Sequence, residues 1–212
     1  AAAGGVARVC EWSGSDRDVQ AEGFPYVDVK AGTVDQSGRV VAIAREVAPA
    51  PIIMEVEGGQ AGGHHSWESL DDLLARTYAQ VRACDNIVLV AGGGMGTARI
   101  ASRYLWGTWS AGRSLPPMPV DAVMIGTAAM TAREALTSPD VKRMLVNTPG
   151  LPASTGRDAD ADPFAPREPW VKAFHVSGDM TSGMRHLHAD IYEVEKSSAR
   201  CGRLLATLTT HP

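Results

Sequence analysis

The chain has 212 residues, of which 44% are hydrophobic and 21% are charged, a composition typical of a globular domain rather than a disordered segment. Its formal net charge of −4 and the lack of a long Lys/Arg run argue against a nucleic acid or an anionic membrane as partner, because both attract clustered basic residues. No apolar run is long enough to span a bilayer, and three isolated cysteines without a CxxC pair predict a reduced, cytoplasmic setting.

The first predicted elements are two strand–helix pairs. A β-rich run at Pro25–Val29 precedes a helix at Val34–Val47, and Pro51–Val56 is the next apolar strand. A glycine-rich exit from that strand leads to a helix at Trp67–Ala83, where apolar residues recur at spacings of three and four. Ser66 is the predicted N-cap of this helix, because a serine oxygen can accept a hydrogen bond from an unpaired backbone N–H.

Two further pairs follow along the chain. Asn86–Ala91 is a third apolar strand, and it leads through a glycine-rich loop to a helix at about Ala98–Leu105. Asp121–Ile125 is a fourth strand, with a helix predicted at about Ala129–Leu136 and another near Asp140–Val146.

This alternation predicts an α/β fold, in which helices cover a parallel sheet. Four units fit the C-terminal half of a (β/α)8 TIM-type barrel better than a doubly wound domain. Because four units cannot close eight strands, other segments of a larger chain are expected to complete the barrel. The predicted division has an unassigned lead-in at residues 1–23, the barrel units at 24–150, a Pro- and Asp-rich insertion at 151–169 and a C-terminal extension at 170–212.

Functional residues are expected in the loops after the strands, where α/β folds bind their ligands. Gly93 and Gly94 follow the third strand, and Gly126 and Thr127 follow the fourth. Such loops let backbone N–H groups approach a phosphate. One such loop alone would be interpreted as a tight turn, but two in consecutive units favour a phosphate site. The spacing does not match the dinucleotide fingerprint GxGxxG. Lys30, after the first strand, is either a site lysine or a surface charge.

The loop after the second strand contains two adjacent histidines. Gly62 and Gly63 precede His64 and His65, so the backbone can approach a flat ligand while a histidine donates a proton or binds a carbonyl oxygen. A helix-capping or solvent-exposed role is the competing reading. No metal site is predicted, since adjacent histidines rarely bind one ion and no HExxH or CxxC motif accompanies them.

Several motifs in this sequence resemble one enzyme family in the same order. Five segments of this sequence resemble the enoyl reductase domain of actinobacterial and fungal type I fatty acid synthases. They are Glu57–Asp72, Gly107–Trp109, Pro117–Asp121, Ile125–Pro139 and Ser198–Leu205. The resemblance runs from about Val27 to Leu205, with the insertion unmatched.

This resemblance implies a TIM-barrel flavoprotein related to nitronate monooxygenases. Such an enzyme binds FMN, takes hydride from NADPH and reduces the 2,3 double bond of an enoyl thioester on an acyl carrier protein domain. It also implies a homo-oligomer. Gly63 and His64 match the Gly-Gly-His signature beside the flavin, and His65 is the doubled histidine of the synthase branch. The phosphate-loop positions are Gly93, Gly94, Gly126 and Thr127.

Some residues depart from the family pattern. Lys30 falls on the lysine of a Lys-Pro-Gly-Thr motif, but Ala31 replaces the proline. Asp179 stands in place of a usual glycine, and His186 and His188 stand where Ser and Gly are usual. Two alternatives remain open: a nitronate-oxidising FMN enzyme on the same scaffold, and a structural segment of a multienzyme synthase without activity of its own.

Overall fold

The computed structural model describes residues 26–66 and 68–147, together with the backbone of three strands between residues 174 and 194. The chain divides into two compact units. The sheet unit contains the described residues of 26–57, 70–92 and 98–124. The loop unit contains the described residues of 58–69, 93–97 and 125–147 and the three later strands.

The sheet unit is built on four parallel strands paired in chain order. They are β1 (Val27–Ala31), β2 (Ile52–Glu57), β3 (Ile87–Gly92) and β4 (Ala122–Val123). The register places Val29 beside Met54, and Met54 beside Leu89. Parallel strands that follow one another in chain order are normally joined by crossovers of the same hand, which places the connecting helices on one face of the sheet.

The connecting helices are α1 (Val34–Val47), α2 (Leu70–Arg82) and α3 (Ala98–Leu105), with a 3-10 helix at Thr108–Arg113. Helix α1 begins where the Thr33 side chain accepts a hydrogen bond from the Gln36 amide at 3.1 Å. One face of each helix packs on the sheet. The core consists of alternate strand residues and the inward residues of α1 and α2, among them Val29, Met54, Leu89, Val40, Ala44, Leu73, Leu74 and Val81.

The opposite face of the sheet is chemically different. Strand side chains alternate between faces, so Asp28 and Lys30 of β1 share this face with Glu55 and Glu57 of β2. Val88 of β3, on the same face, is 39% exposed. In a parallel sheet covered on both sides, the positions of these charged side chains would be apolar. The charged residues therefore indicate that this face does not serve only as hydrophobic core.

The parallel α/β character and the helices at Val34–Val47 and Ala98–Leu105 are confirmed. The observed strands differ from the predicted ones by a few residues at their ends. An eight-stranded barrel remains an expectation, because the described residues contain four parallel strands. None of the described helices is long and apolar enough to cross a membrane.

Two local predictions are wrong. Helix α2 begins at Leu70, so Ser66 is not its N-cap. The Ser66 hydroxyl instead accepts from the Glu68 amide at 2.9 Å, inside a turn closed by the bond from the Gly59 N–H to the Glu68 carbonyl.

The predicted helix at Ala129–Leu136 is also wrong. Helix α4 covers only Thr127–Met130, and the next helix, α5, covers Pro139–Asn147 in agreement with the second prediction. The segment after α4 turns through bonds three residues apart, and Lys142 of α5 donates to the carbonyls of Ala132 and Arg133. The alanine-rich sequence favours a helix, but these contacts overrule that preference.

The three later strands form an antiparallel sheet that the sequence did not predict. These strands are β5 (Phe174–Ser177), β6 (Met180–Met184) and β7 (Asp190–Val194), paired in that order. They lie in the predicted C-terminal extension. The lead-in, the insertion at 151–169, and Asp179, His186 and His188 lie outside the described residues.

Candidate functional site

Glycine-rich segments that are distant in sequence meet in the loop unit. We call residues 58–66 the first glycine loop and residues 93–97 the second. Gly93 adopts a φ of +93°, and a Cβ there would lie 3.0 Å from the Gly58 carbonyl oxygen and 3.2 Å from the Ala61 nitrogen. Gly94, at φ +76°, lies against the Gln60 side chain, with a distance of 3.1 Å from a Cβ to Gln60 Oε1. The two loops therefore pack closely, through backbone atoms at Gly93 and against the Gln60 side chain at Gly94.

A third segment joins them at Thr127. A Cβ on Gly62 would overlap the Thr127 hydroxyl oxygen, so a side chain at position 62 would require the Thr127 side chain to move. The structure thus brings together most of the predicted cofactor-binding residues: Gly62, Gly93, Gly94 and Thr127. Close packing between the loops favours glycine at positions 62, 93 and 94. The glycine-rich sequence of the loops therefore has a structural cause, apart from any contact with a phosphate.

Gly63 and Gly126 differ from these packed glycines. A Cβ at either position would meet nothing within 4 Å. Gly63 needs to be glycine because its φ is +107°, which L side chains rarely adopt. Gly126 has a φ of −95° and precedes the single turn of α4. Around these two glycines the described backbone is accessible, so they are the positions where a ligand could approach the loops.

The structure distinguishes the two histidines. His65 Nδ1 lies 2.7 Å from the Ser66 carbonyl oxygen. Because a carbonyl can only accept, Nδ1 carries the proton and the ring is held by the backbone of the next residue. His64 Nε2 is buried and has no hydrogen-bond partner among the described residues. Buried polar atoms are almost always paired, so His64 is the histidine whose surroundings call for an additional group.

Lys30 belongs to the sheet unit and is already paired. Its ammonium contacts Glu57 Oε1 at 2.6 Å, and its side chain is 34% exposed. This ion pair balances the charge of the lysine that the sequence offered as either a cofactor-binding residue or a surface charge. A role for Lys30 at the cofactor remains a prediction.

Two acidic residues beside Lys30 were missed by the sequence reasoning. Glu55 is 6% exposed, and burial together with the neighbouring Glu57 carboxylate raises its pKa to about 7. Asp28 Oδ1 is buried without a partner among the described residues, and burial raises the pKa of that carboxyl group. The available signal was the placement of charged residues within otherwise apolar strands, at every second position.

The accessible polar groups of the loop unit are backbone groups and one imidazole nitrogen. No group of three or more His, Cys, Asp or Glu side chains in the described part of the chain is placed to hold a metal ion. The loops offer open backbone at Gly63 and Gly126 and an unpartnered imidazole nitrogen at His64. Backbone N–H groups suit phosphate oxygens, and an imidazole suits a carbonyl or a proton acceptor.

The family comparison matches residues 51–211 to a model described as "Fatty acid synthase subunit beta/Fas1-like, helical". The match includes both glycine loops, both histidines, Gly126 and Thr127. Lys30 lies before its first residue.

Individual relatives are fungal synthase subunits. The chain is 41% identical over 133 residues to the fatty acid synthase beta subunit pigK of Monascus ruber. It is 43% identical over 129 residues to the fatty acid synthase subunit beta of Schizosaccharomyces pombe, and 44% over 128 residues to the fatty acid synthase 2 of Mycosarcoma maydis. These alignments cover 63%, 61% and 60% of the chain but only 7%, 6% and 4% of the relatives. The chain therefore corresponds to a small part of each of these large proteins.

Proposed function

Since this chain belongs to the helical Fas1-like family of fatty acid synthase beta subunits, we propose that it forms part of an FMN- and NADPH-dependent enoyl reductase domain. The proposed reaction reduces the 2,3 double bond of an enoyl thioester that an acyl carrier protein domain delivers. The proposed scaffold is a TIM-type barrel completed by other segments of the synthase, within a homo-oligomer. The observation that carries the proposal is the buried, unpartnered His64 Nε2 in a unit where glycine loops converge.

FMN bound at these loops would supply the hydride-transfer chemistry. The chain's own task is to bind and orient. Backbone N–H groups at Gly93, Gly94, Gly126 and Thr127 are the proposed phosphate donors, as peptide N–H groups in glycine loops commonly are. Packing of Gly62 against Thr127 and of Gly93 against Gly58 holds these donors in a rigid arrangement, which limits the reorganisation needed when an anion binds.

His64 is the proposed catalytic residue. If Nε2 carries a proton, it can donate a hydrogen bond to the thioester carbonyl oxygen or deliver the proton to the α-carbon. Its burial strengthens either interaction, since water competes less there. His65 has a supporting role in this proposal, because its Nδ1–H is committed to the Ser66 carbonyl.

The test uses the complete synthase polypeptide with His64→Ala, and with His65→Ala as the matched control. We expect the His64 variant to retain FMN and to be bleached by NADPH, but to reduce a crotonyl thioester about 10²-fold or more slowly. The His65 variant should lose less. Equal rates for wild type and His64→Ala would exclude the catalytic role, and loss of flavin from His64→Ala would indicate a binding role instead.

A structural segment is the second candidate. The matching family model is described only as helical, without naming a reductase. The same experiment separates the candidates, because a structural segment predicts that both histidine variants reduce the substrate normally. A nitronate-oxidising enzyme would instead show reduction of the flavin by a nitronate substrate, in the place that NADPH takes in the reductase, and no reduction of the enoyl thioester.

A further inference from the structure

Bulky apolar side chains are exposed at the end of helix α3, within the sheet unit. Leu105 is the last residue of the helix and Trp106 follows it, and the Trp106 side chain is 74% exposed. Further apolar side chains are exposed in the segment after the 3-10 helix: Leu115, Pro116 and Pro117. The rest of the sheet unit buries its large apolar residues in a close-packed core. An exposed group of this kind is typical of an interaction surface.

The segment 115–119, which we call the strap, is fixed to the sheet unit through its backbone. Its carbonyl groups accept hydrogen bonds from surrounding side chains: Pro116 from Ser110 at 2.6 Å, Met118 from Trp109 at 2.7 Å, and Pro119 from Tyr78 at 2.8 Å and Arg82 at 2.6 Å. The strap therefore holds its exposed side chains in a fixed arrangement. A surface that is already ordered loses little conformational entropy when a partner binds.

Gly107 joins the end of α3 to the strap. A Cβ on Gly107 would overlap the Met118 nitrogen and lie 2.5 Å from the Pro119 nitrogen. The Met118 amide also donates to the Gly107 carbonyl at 3.1 Å. Because Trp106 directly precedes Gly107, its backbone lies next to the strap. We call the resulting apolar group the Trp106 surface: Leu105, Trp106, Leu115, Pro116 and Pro117.

Basic side chains lie along the same stripe of α3. Arg99, Arg103 and Trp106 are spaced four and three residues apart, a spacing that places side chains on one face of a helix. The bond from the Trp106 amide to the Ser102 carbonyl, at 2.9 Å, continues the helical pattern as far as Trp106. Both arginines are exposed, and neither forms an ion pair within the described part of the chain. Carboxylates on a partner would complement this charge.

We propose that the Trp106 surface binds an apolar, acidic segment of the same synthase polypeptide from outside residues 1–212, with Asp or Glu side chains against Arg99 and Arg103. The matching region makes up at most 7% of the three relatives described above, so most of each of those proteins lies elsewhere on one chain. The exposed group is far smaller than the about 20 residues per partner of a stable complex between separate proteins.

A segment on the same chain needs no such large interface. The connecting chain raises its effective concentration to about the millimolar range, so a small, rigid apolar surface is sufficient to bind it. This inference goes beyond the proposed reductase, since it concerns the assembly of the synthase whether or not a flavin binds.

The test replaces Trp106 by the photocrosslinking residue p-benzoylphenylalanine in the complete synthase polypeptide and identifies crosslinked peptides by mass spectrometry. Because the Trp106 side chain is mostly exposed, the replacement leaves the core of the sheet unit unchanged. Assembly from a mixture of isotopically light and heavy chains distinguishes crosslinks within one polypeptide from crosslinks between copies. We expect a crosslink within one polypeptide, to an apolar segment that contains Asp or Glu and lies outside residues 1–212.

Charge reversal tests the role of the arginines. With Arg103→Glu the crosslink yield should fall about fivefold or more, because like charges then face each other. Arg45→Glu, at an exposed position of α1 outside the Trp106 surface, is the matched control and should leave the yield unchanged. A crosslink within residues 1–212, between two copies or to another protein would overturn the proposal. The absence of a crosslink, a crosslinked segment without Asp or Glu, or an unchanged yield in Arg103→Glu would overturn it as well.

Discussion

Replacing Gly93 by alanine tests whether the packing of the two glycine loops builds the binding site. The φ of +93° is strained for any L side chain, which costs about 1–3 kcal/mol. The added Cβ would also lie 3.0 Å from the Gly58 carbonyl oxygen and 3.2 Å from the Gly58 and Ala61 nitrogens. All three are backbone atoms, so no side-chain rotation can relieve the contacts. We expect a total cost of about 2–4 kcal/mol in the native loop arrangement.

Gly96→Ala is the matched control in the same loop. A Cβ at Gly96 meets nothing within 4 Å, so this variant adds the same methyl group without the contacts. In the complete synthase polypeptide, the Gly93 variant should bind FMN at least about 30-fold more weakly, the equivalent of 2 kcal/mol. Amide hydrogen exchange of residues 93–97 should accelerate in parallel. The Gly96 variant should stay within about twofold of the wild type, since surface changes are usually small.

Two outcomes distinguish the packing of the glycine loops from the proposed binding of the FMN phosphate. Unchanged exchange and unchanged FMN affinity in Gly93→Ala would refute the reasoning about loop packing itself. Accelerated exchange with no effect on flavin content would retain the packing but remove the FMN phosphate from these loops. The two measurements therefore separate the structural statement from the proposed function.

Two further changes test single contacts. Gly62→Ala places a methyl group on the Thr127 hydroxyl, so we expect it to reduce FMN retention, and Thr127→Ala in the same chain should restore part of the loss by removing the obstructing oxygen. Asp121→Asn removes the charge of a carboxylate that accepts hydrogen bonds from the Leu89 amide and from Arg82, both at 2.7 Å. Since the Asp121 side chain is 41% exposed, the loss of stability should be only about 1 kcal/mol. We expect roughly fivefold faster hydrogen exchange of the Leu89 amide, and an unchanged exchange rate would contradict this role of Asp121.

Local sequence signals determined the elements of the sheet unit. The helix at Val34–Val47 follows from its apolar spacing and from Thr33, whose side chain caps the first turn. The apolar strands and their glycine-rich exits likewise predicted a parallel sheet with loops at its carboxyl edge. Helix spacing, helix capping and apolar strands depend on residues that are close together in the chain. These elements can therefore be predicted from a single sequence.

The local signal failed where contacts from elsewhere in the fold competed with it. The predicted helix after Gly126 ends at Met130, where Lys142 from α5 binds two carbonyls of the following turn. Ser66 has the chemistry of an N-cap, but the bond between Gly59 and Glu68 holds it inside the loop. The Lys142 contacts and the Gly59–Glu68 bond each join residues that lie nine or more positions apart, beyond what helix propensity describes.

The sequence by itself determined which residues could act: the paired histidines, the glycine loops and a lysine after the first strand. The tertiary structure decided what each of them does locally. It tied His65 to the Ser66 carbonyl and left His64 Nε2 buried without a protein partner in the described residues. Strand register placed Lys30 of β1 against Glu55 and Glu57, more than 20 residues away in the sequence, and burial moved the pKa of Glu55 to about 7. Charge pairing and desolvation depend on which strands become neighbours, and that is settled only when the sheet assembles.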